Sequence, residues 1–334
     1  MRKLRKKLIL SLIMLVLTVI TVTSTTLAWF ANNQNAWVED FDLEIEKLEG
    51  LLISVDGKNF YSSVSNEDLV KAIVAKKTNK KIEELDMDEV KSEIEKIRLS
   101  SVTTKDLENF YTIDSLNVVD NYYGLKAASN YTYIEFDLYF RAVIDENKVE
   151  GEVRTLSFAS DSYIKSQAKA VKLVNELRSK GVVYKSGESI AVNPADAIRV
   201  GVSVANDENT KLIYEPNLGL GSYAIEGVSP SDEDYDINYD PNENAMLTYF
   251  NNLNEHKLAP LKAVDKLFYQ GTKNFTDGTI ISNFKTNDTV TGFEDLKLTV
   301  SIWLEGYDAD YFIGIDMKNI KMYLNFSKGG NVSE

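Results

Sequence analysis

Period-two alternation of apolar and polar residues is the feature that most constrains what this 334-residue chain can fold into. Ile134, Phe136, Leu138 and Phe140 alternate with Glu135, Asp137, Tyr139 and Arg141. Ile198, Val200, Val202 and Val204 repeat the pattern, and Phe41, Leu43 and Ile45 show it near the start. So do Leu296, Leu298, Val300, Ile302 and Leu304, set against Lys297, Thr299, Ser301, Trp303 and Glu305. Ile320, Met322, Leu324 and Phe326 close the series. Successive side chains of a strand point to opposite faces, so these segments make strands with one buried and one solvated face. Such strands belong to antiparallel sheets packed face to face. The expected fold class is mainly β, an antiparallel β-sandwich. Asp56-Gly57, between Leu52–Val55 and Asn59–Ser62, marks a tight hairpin because both positions tolerate positive φ.

Two stretches break the alternation and are predicted as inserted helices, at 65–99 and 162–180. In the first, Ser65 and Asp68 have capping-box spacing ahead of Leu69, Val70, Ile73 and Val74, with a second start at Asp86/Asp88. In the second, Ser162 precedes an apolar stripe of Ile164, Ala168, Val171, Val174 and Leu177, and Gly181 ends it. No internal repeat or long linker is visible, so residues 29–334 read as one domain with an exposed acidic loop near 228–245.

The N-terminus sets the compartment. Arg2, Lys3, Arg5, Lys6 and Lys7 precede an apolar run from Leu8 to Val22, and small polar residues lead to Thr26-Leu27-Ala28. This is the layout of a signal peptide spanning 1–28, with membrane contact only before cleavage. The competing reading is an uncleaved anchor, since the apolar stretch reaches Phe30. Cleavage after Ala28 removes five basic residues and no acidic one, taking the net charge from −14 to −19. That charge argues against a nucleic-acid partner. With no Cys, an exported chain cannot rely on disulfides, and with one His no multi-histidine metal centre can be built.

Candidate chemistry is sparse. Asp232, Asp234, Asp236, Asn238, Asp240 and Glu243 occupy positions 1, 3, 5, 7, 9 and 12 of an EF-hand-like window, a spacing that aims oxygen ligands at one calcium ion. Ile237 stands where the sharp turn wants Gly, and a solvated acidic loop is the competing reading. Trp303, Glu305 and Asp308 combine an aromatic with paired carboxylates, as in a glycan-binding surface or a secreted hydrolase. A charged strand end accounts for them equally. His256 lies in a polar stretch with no G-x-S-x-G nucleophile elbow in the chain. No cofactor other than calcium is implied, and the expectation is a non-catalytic protein. Trp29, Phe30, Trp37 and Val38 bracket an Asn-rich segment and form an apolar strand that can pack in its own sandwich or add to a neighbour's sheet.

The junction Thr26-Leu27-Ala28-Trp29-Phe30, following a basic and then an apolar segment, resembles that of the TasA/camelysin family of Gram-positive bacteria. The segments Leu51–Phe60 and Trp303–Asp308 also look like uncharacterised exported proteins of low-GC Firmicutes and mollicute relatives. The TasA resemblance implies an exported, cysteine-free, jelly-roll-like sandwich whose fibre-forming members donate an N-terminal strand to the next subunit. It makes the partner a second copy of the chain, in a biofilm matrix or at the cell surface, with surface glycans as the alternative partner. The helical stretches and greater length depart from the compact family pattern, and a single His supports no metalloprotease site.

Overall fold

The computed structural model describes residues 36–37, 41–47, 50–142, 154–179, 182–205, 207–215, 217, 219–220, 225–226, 245–259, 261–262, 267–270, 275, 280–287, 292–314 and 320–330. The chain divides into two units, Met1–Gln34 and Asn35–Glu334, and every described residue belongs to the second. The expected signal segment therefore lies outside the described residues.

The structure is mainly β, in several sheets. Its two main sheets contain nine and five strands. In chain order these are β1 (Phe41–Lys47), β2 (Leu51–Ser54), β3 (Ser101–Thr104), β4 (Phe110–Val119), β5 (Tyr122–Ala127), β6 (Ile134–Ala142) and β7 (Arg154–Phe158). They continue with β8 (Tyr163–Lys165), β9 (Ile198–Val204), β10 (Asp207–Tyr214), β11 (Leu267–Gln270), β12 (Ile280–Asn283), β13 (Leu296–Glu305) and β14 (Ile320–Gly330). In the larger sheet β13 lies between β6 and β9, with Val300 opposite both Phe136 and Val202. β2 extends the sheet beyond β6, and β10 and β11 extend it beyond β9. The end of β13 also pairs with β3, which leads into β4 and β5. The smaller sheet is built on β14, which pairs with β1, β7 and β8, while β12 adds to β7.

The alternation places the core where the sequence puts it. Phe136, Leu138 and Phe140 of β6, Val200 and Val202 of β9, Val300 and Leu304 of β13, and Met322, Leu324 and Phe326 of β14 all lie in one buried cluster. Aromatic rings join the sheets: Phe140 meets Phe326 at 4.7 Å between centroids, and Tyr214 meets Phe158 at 4.8 Å. One expectation is corrected here. Pairing is mixed rather than purely antiparallel, because β1 runs parallel to β14, β3 to β13 and β10 to β11. Each of these pairs joins strands far apart in sequence, and only a long connection permits a parallel neighbour.

The first inserted helical stretch forms as helix α1 (Asn66–Thr78), a 3-10 turn at Ile82–Glu84 and helix α2 (Met87–Ile94). Ser65 caps α1 by accepting from the Asp68 N–H at 3.1 Å, and Asp86 caps α2 by accepting from the Glu89 N–H at 2.8 Å. Leu69, Ala72 and Ile73 pack into the main core, while Val74 and Ala75 meet Leu85 and Val90 in a satellite cluster. The second expected helix, 162–180, is not one. Among its described residues lie β8 and the strands Lys169–Lys172 and Leu177–Ser179, which pair with Ser189–Val192 and Val182–Tyr184. Ile164 and Leu177 are buried, but Val174 is 72% exposed, so the stripe is not one continuous face. Two further helices, α3 (Ala245–Leu253) and α4 (Ala309–Gly314), arise where no helix was expected.

A short internal repeat also emerges, contrary to the reading of the sequence. Leu51–Tyr61 and Ser101–Tyr111 share Ser/Thr, Asp, Asn, Phe and Tyr at matching places, fifty residues apart. In each, a strand ends in a turn whose aspartate gathers the backbone. Asp56 accepts from the N–H groups of Lys58 and Asn59, both at 2.8 Å, and Asp106 from those of Glu108 and Asn109 at 2.9 and 2.7 Å. Gly57 (φ 70°) and Leu107 (φ 56°) take the same left-handed position. The chain then returns to pair Tyr61 with Ile53 and Tyr111 with Thr103.

Candidate functional site

The N-terminal candidates are only partly described. Trp37 lies in the two-residue strand Ala36–Trp37, paired antiparallel with Arg98–Leu99. Trp29, Phe30 and Val38 fall outside the described residues, as do all six members of the acidic loop, Asp232, Asp234, Asp236, Asn238, Asp240 and Glu243. β1 follows closely. It has one strand partner among the described residues, β14, along the register from Phe41 opposite Ile320 to Lys47 opposite Phe326.

Trp303, Glu305 and Asp308 are brought together, but not on a surface. Trp303 is 1% exposed, Glu305 3% and Asp308 0%, which overturns the expected ligand face. The outer face of β13 is covered at this end. Phe110 meets the Trp303 ring edge-on at 5.7 Å, and Leu107 packs close to Gly201 beside it. The indole N–H of Trp303 donates to Glu305 Oε2 at 2.9 Å, and the Tyr307 N–H donates to Oε1 at 3.0 Å. Arg199, fully buried, donates from Nη2 to Asp308 and, at 2.5 Å, to Glu215. Its Nη1 reaches the Asp196 carbonyl at 2.9 Å. Burial raises the Glu305 pKa above the usual carboxylate range, against the opposing pull of Arg199 and the two N–H donors. This cluster ties β9, β10 and the β13–α4 turn together.

His256 stays on an exposed stretch, its Nδ1 3.1 Å from Asn121 Oδ1 at the β4–β5 turn.

A cleft of about 580 Å³ opens elsewhere, between the C-terminal half of α1, the Asp56 turn and the outer face of β6 and β13. Ala72, Ala75, Val55 and Ile82 form apolar walls, and Asp137, Tyr139 and Lys297 form the floor. Lys76 donates to Asp137 Oδ1 at 2.9 Å and lies 3.4 Å from Glu135. Lys297 holds Asp137 Oδ2 at 2.7 Å, and Thr299 donates to Oδ1 at 2.8 Å. Burial opposes ionisation of Asp137, but these three donors outweigh it and leave its pKa below the usual range. The Asp56 carboxyl is also held below the usual range: its partial burial is overcome by the N–H groups of Asn59 and Lys58 and the Ser54 hydroxyl. Lys58, ion-paired to Glu83, closes one end, and Lys80 pairs with Glu89. Lys81 forms no ion pair among the described residues.

Sequence reasoning missed the cleft because its walls come from three distant segments, around 55–83, 137–139 and 297. The local signal was the lysine run Lys76-Lys77-Thr78-Asn79-Lys80-Lys81 at the end of a predicted helix.

Comparison of the chain with protein-family models, curated proteins and solved structures finds no match.

Proposed function

We propose that this chain is an exported, non-catalytic structural protein of the cell surface or extracellular matrix that self-associates into fibres through its N-terminal strand. Its two main sheets then form a jelly-roll-like sandwich, the architecture implied by the TasA-like junction at 26–30. The observation that carries the reading is the position of β1. Among the described residues it has a single strand partner, it follows residues 29–38 within a few positions in sequence, and it pairs along a buried, alternating run of β14. A strand edge is the acceptor that strand addition requires, because unpaired N–H and C=O groups template another chain. In the assembled form, residues 29–38 extend into a neighbouring copy, with Trp29, Phe30, Trp37 and Val38 as anchors.

Negative-stain electron microscopy with size-exclusion chromatography, on protein held for days with and without calcium, tests this. Regular filaments that vanish when residues 29–38 are deleted, while the far-ultraviolet spectrum is kept, are the expected result. Filaments that form only with calcium, and no longer do so when Asp232, Asp234 and Asp236 are replaced by Asn, assign the 232–243 loop a cation. A stable monomer under every condition overturns self-assembly. The second reading, a ligand-binding surface protein, is favoured by the lysine-lined cleft rather than by Trp303.

A further inference from the structure

We infer that the cleft beneath helix α1 binds an organic anion of about disaccharide size, a sugar carrying phosphate or carboxylate. The inference goes beyond strand pairing and does not depend on it. Its first support is a local concentration of cations in an acidic chain. The chain as a whole carries −14, yet five lysines, Lys58, Lys76, Lys80, Lys81 and Lys297, line the cleft against three lining acids, and Glu89 and Glu135, which pair with Lys80 and Lys76 from its edge, bring it only to neutrality.

The second support is hydrogen-bonding capacity. Each ammonium has three N–H donors. The three carboxylates in the cleft are already committed to the protein: Asp56 to its own turn, Asp137 to two lysines and Thr299, and Glu83 to Lys58. Donors are therefore in excess, and a ligand that satisfies them must be rich in acceptors. The ion pairs at the rim, Lys58–Glu83 and Lys80–Glu89, are substantially exposed. Such pairs contribute little, so an incoming anion competes with them readily. The C-terminal carbonyls of α1 carry partial negative charge and oppose an anion. Lys76, Lys77, Lys80 and Lys81, clustered at that end, offset them.

The third support is the apolar wall. Val55, Ala72, Ala75 and Ile82, with the Tyr139 ring on the floor, leave room for a carbon skeleton that a bare inorganic ion would not fill. The volume falls in the range of small-molecule sites.

Isothermal titration calorimetry on the full chain with trehalose 6-phosphate, trehalose and inorganic phosphate tests this. Trehalose 6-phosphate is expected to bind once per chain, at least about tenfold tighter than either control, and more weakly as salt is added. Lys58→Gln/Lys81→Gln removes two exposed rim charges without touching the core and should abolish binding with the thermal midpoint unchanged. Lys185→Gln, at an exposed hairpin far from the cleft in sequence, should bind as the parent does. Absence of binding by all three probes, equal binding of trehalose, or binding indifferent to the double variant overturns the inference. Inorganic phosphate binding as tightly as the sugar phosphate overturns the organic part of it.

Discussion

Glu305 shows how a residue can be singled out correctly and placed wrongly. Alternation along Leu296–Leu304 assigns Trp303 and Glu305 to the polar face, and in an isolated two-layer structure that face meets water. Here Phe110 and Leu107, brought over by the β3–β4 connection, cover it. No local pattern announces a cover supplied by a segment two hundred residues away, nor that Arg199, an outward-facing position by alternation, is the buried counter-charge. The pH dependence follows from the burial. The folded-state pKa of Glu305 lies above the unfolded value, so folding favours its protonated form. Its contribution to stability is fully present below the unfolded pKa and is lost as pH rises through the folded one. Glu305→Gln leaves either the Trp303 or the Tyr307 N–H without its acceptor, a cost of about 1–3 kcal/mol. It also removes the titration. Urea midpoints are therefore expected to show the variant well below the parent at pH 4 and closer to it at pH 8. A gap that widens with pH would show that the carboxylate is favoured by the fold.

Secondary structure was legible wherever the signal is local. Ser65 and Asp68 mark the start of α1, and the structure supplies the capping geometry, with Asp68 also accepting the Ser65 hydroxyl at 2.6 Å. The five alternating runs became the strands they promised. The 162–180 segment failed because its spacing suits two periods at once, and the deciding partners, Val182–Tyr184 and Ser189–Val192, lie outside it. Lys169–Lys172 alternates half-buried and exposed, which two strand residues per repeat explain as well as a helical turn. The cap gives a test at this scale. Ser65→Ala removes the acceptor for the Asp68 N–H and is expected to cost about 1 kcal/mol in chemical denaturation. Because α1 forms one wall of the cleft, the same variant should also weaken trehalose 6-phosphate, whereas Ser65→Asp should retain both properties. A loss below a few tenths of a kcal/mol would mean that packing of Leu69 and Ile73 alone fixes the helix start.

The topology forces the two sheets to stand or fall together. Of the strands in the two main sheets, β1 lies in the smaller, β2 to β6 in the larger, β7 and β8 in the smaller, β9 to β11 in the larger, β12 in the smaller, β13 in the larger and β14 in the smaller. β1 finds its partner only when the last strand is in place, almost three hundred residues later, so local pairing completes neither sheet. The larger sheet presses Phe140 against Phe326 of the smaller, and Tyr214 against Phe158. None of this closure is written in any one segment: Phe140 and Phe326 lie on predicted apolar faces, but Phe158 and Tyr214 belong to strands that the alternation did not announce. Phe326→Ala tests the coupling from one side. Truncation of a buried phenylalanine costs about 3–5 kcal/mol through lost transfer energy and the cavity left behind. The probe sits on the other side. With Trp29 and Trp37 replaced by Phe, fluorescence reports Trp303 alone, buried in the larger sheet. If the sheets share one cooperative core, the Trp303 transition and the far-ultraviolet transition coincide in the parent and move together in the variant. A Trp303 transition that stays in place while the far-ultraviolet signal splits would mean that the smaller sheet melts on its own. In that case β14 would release β1 without unfolding the rest, and strand exchange between copies would need no global opening.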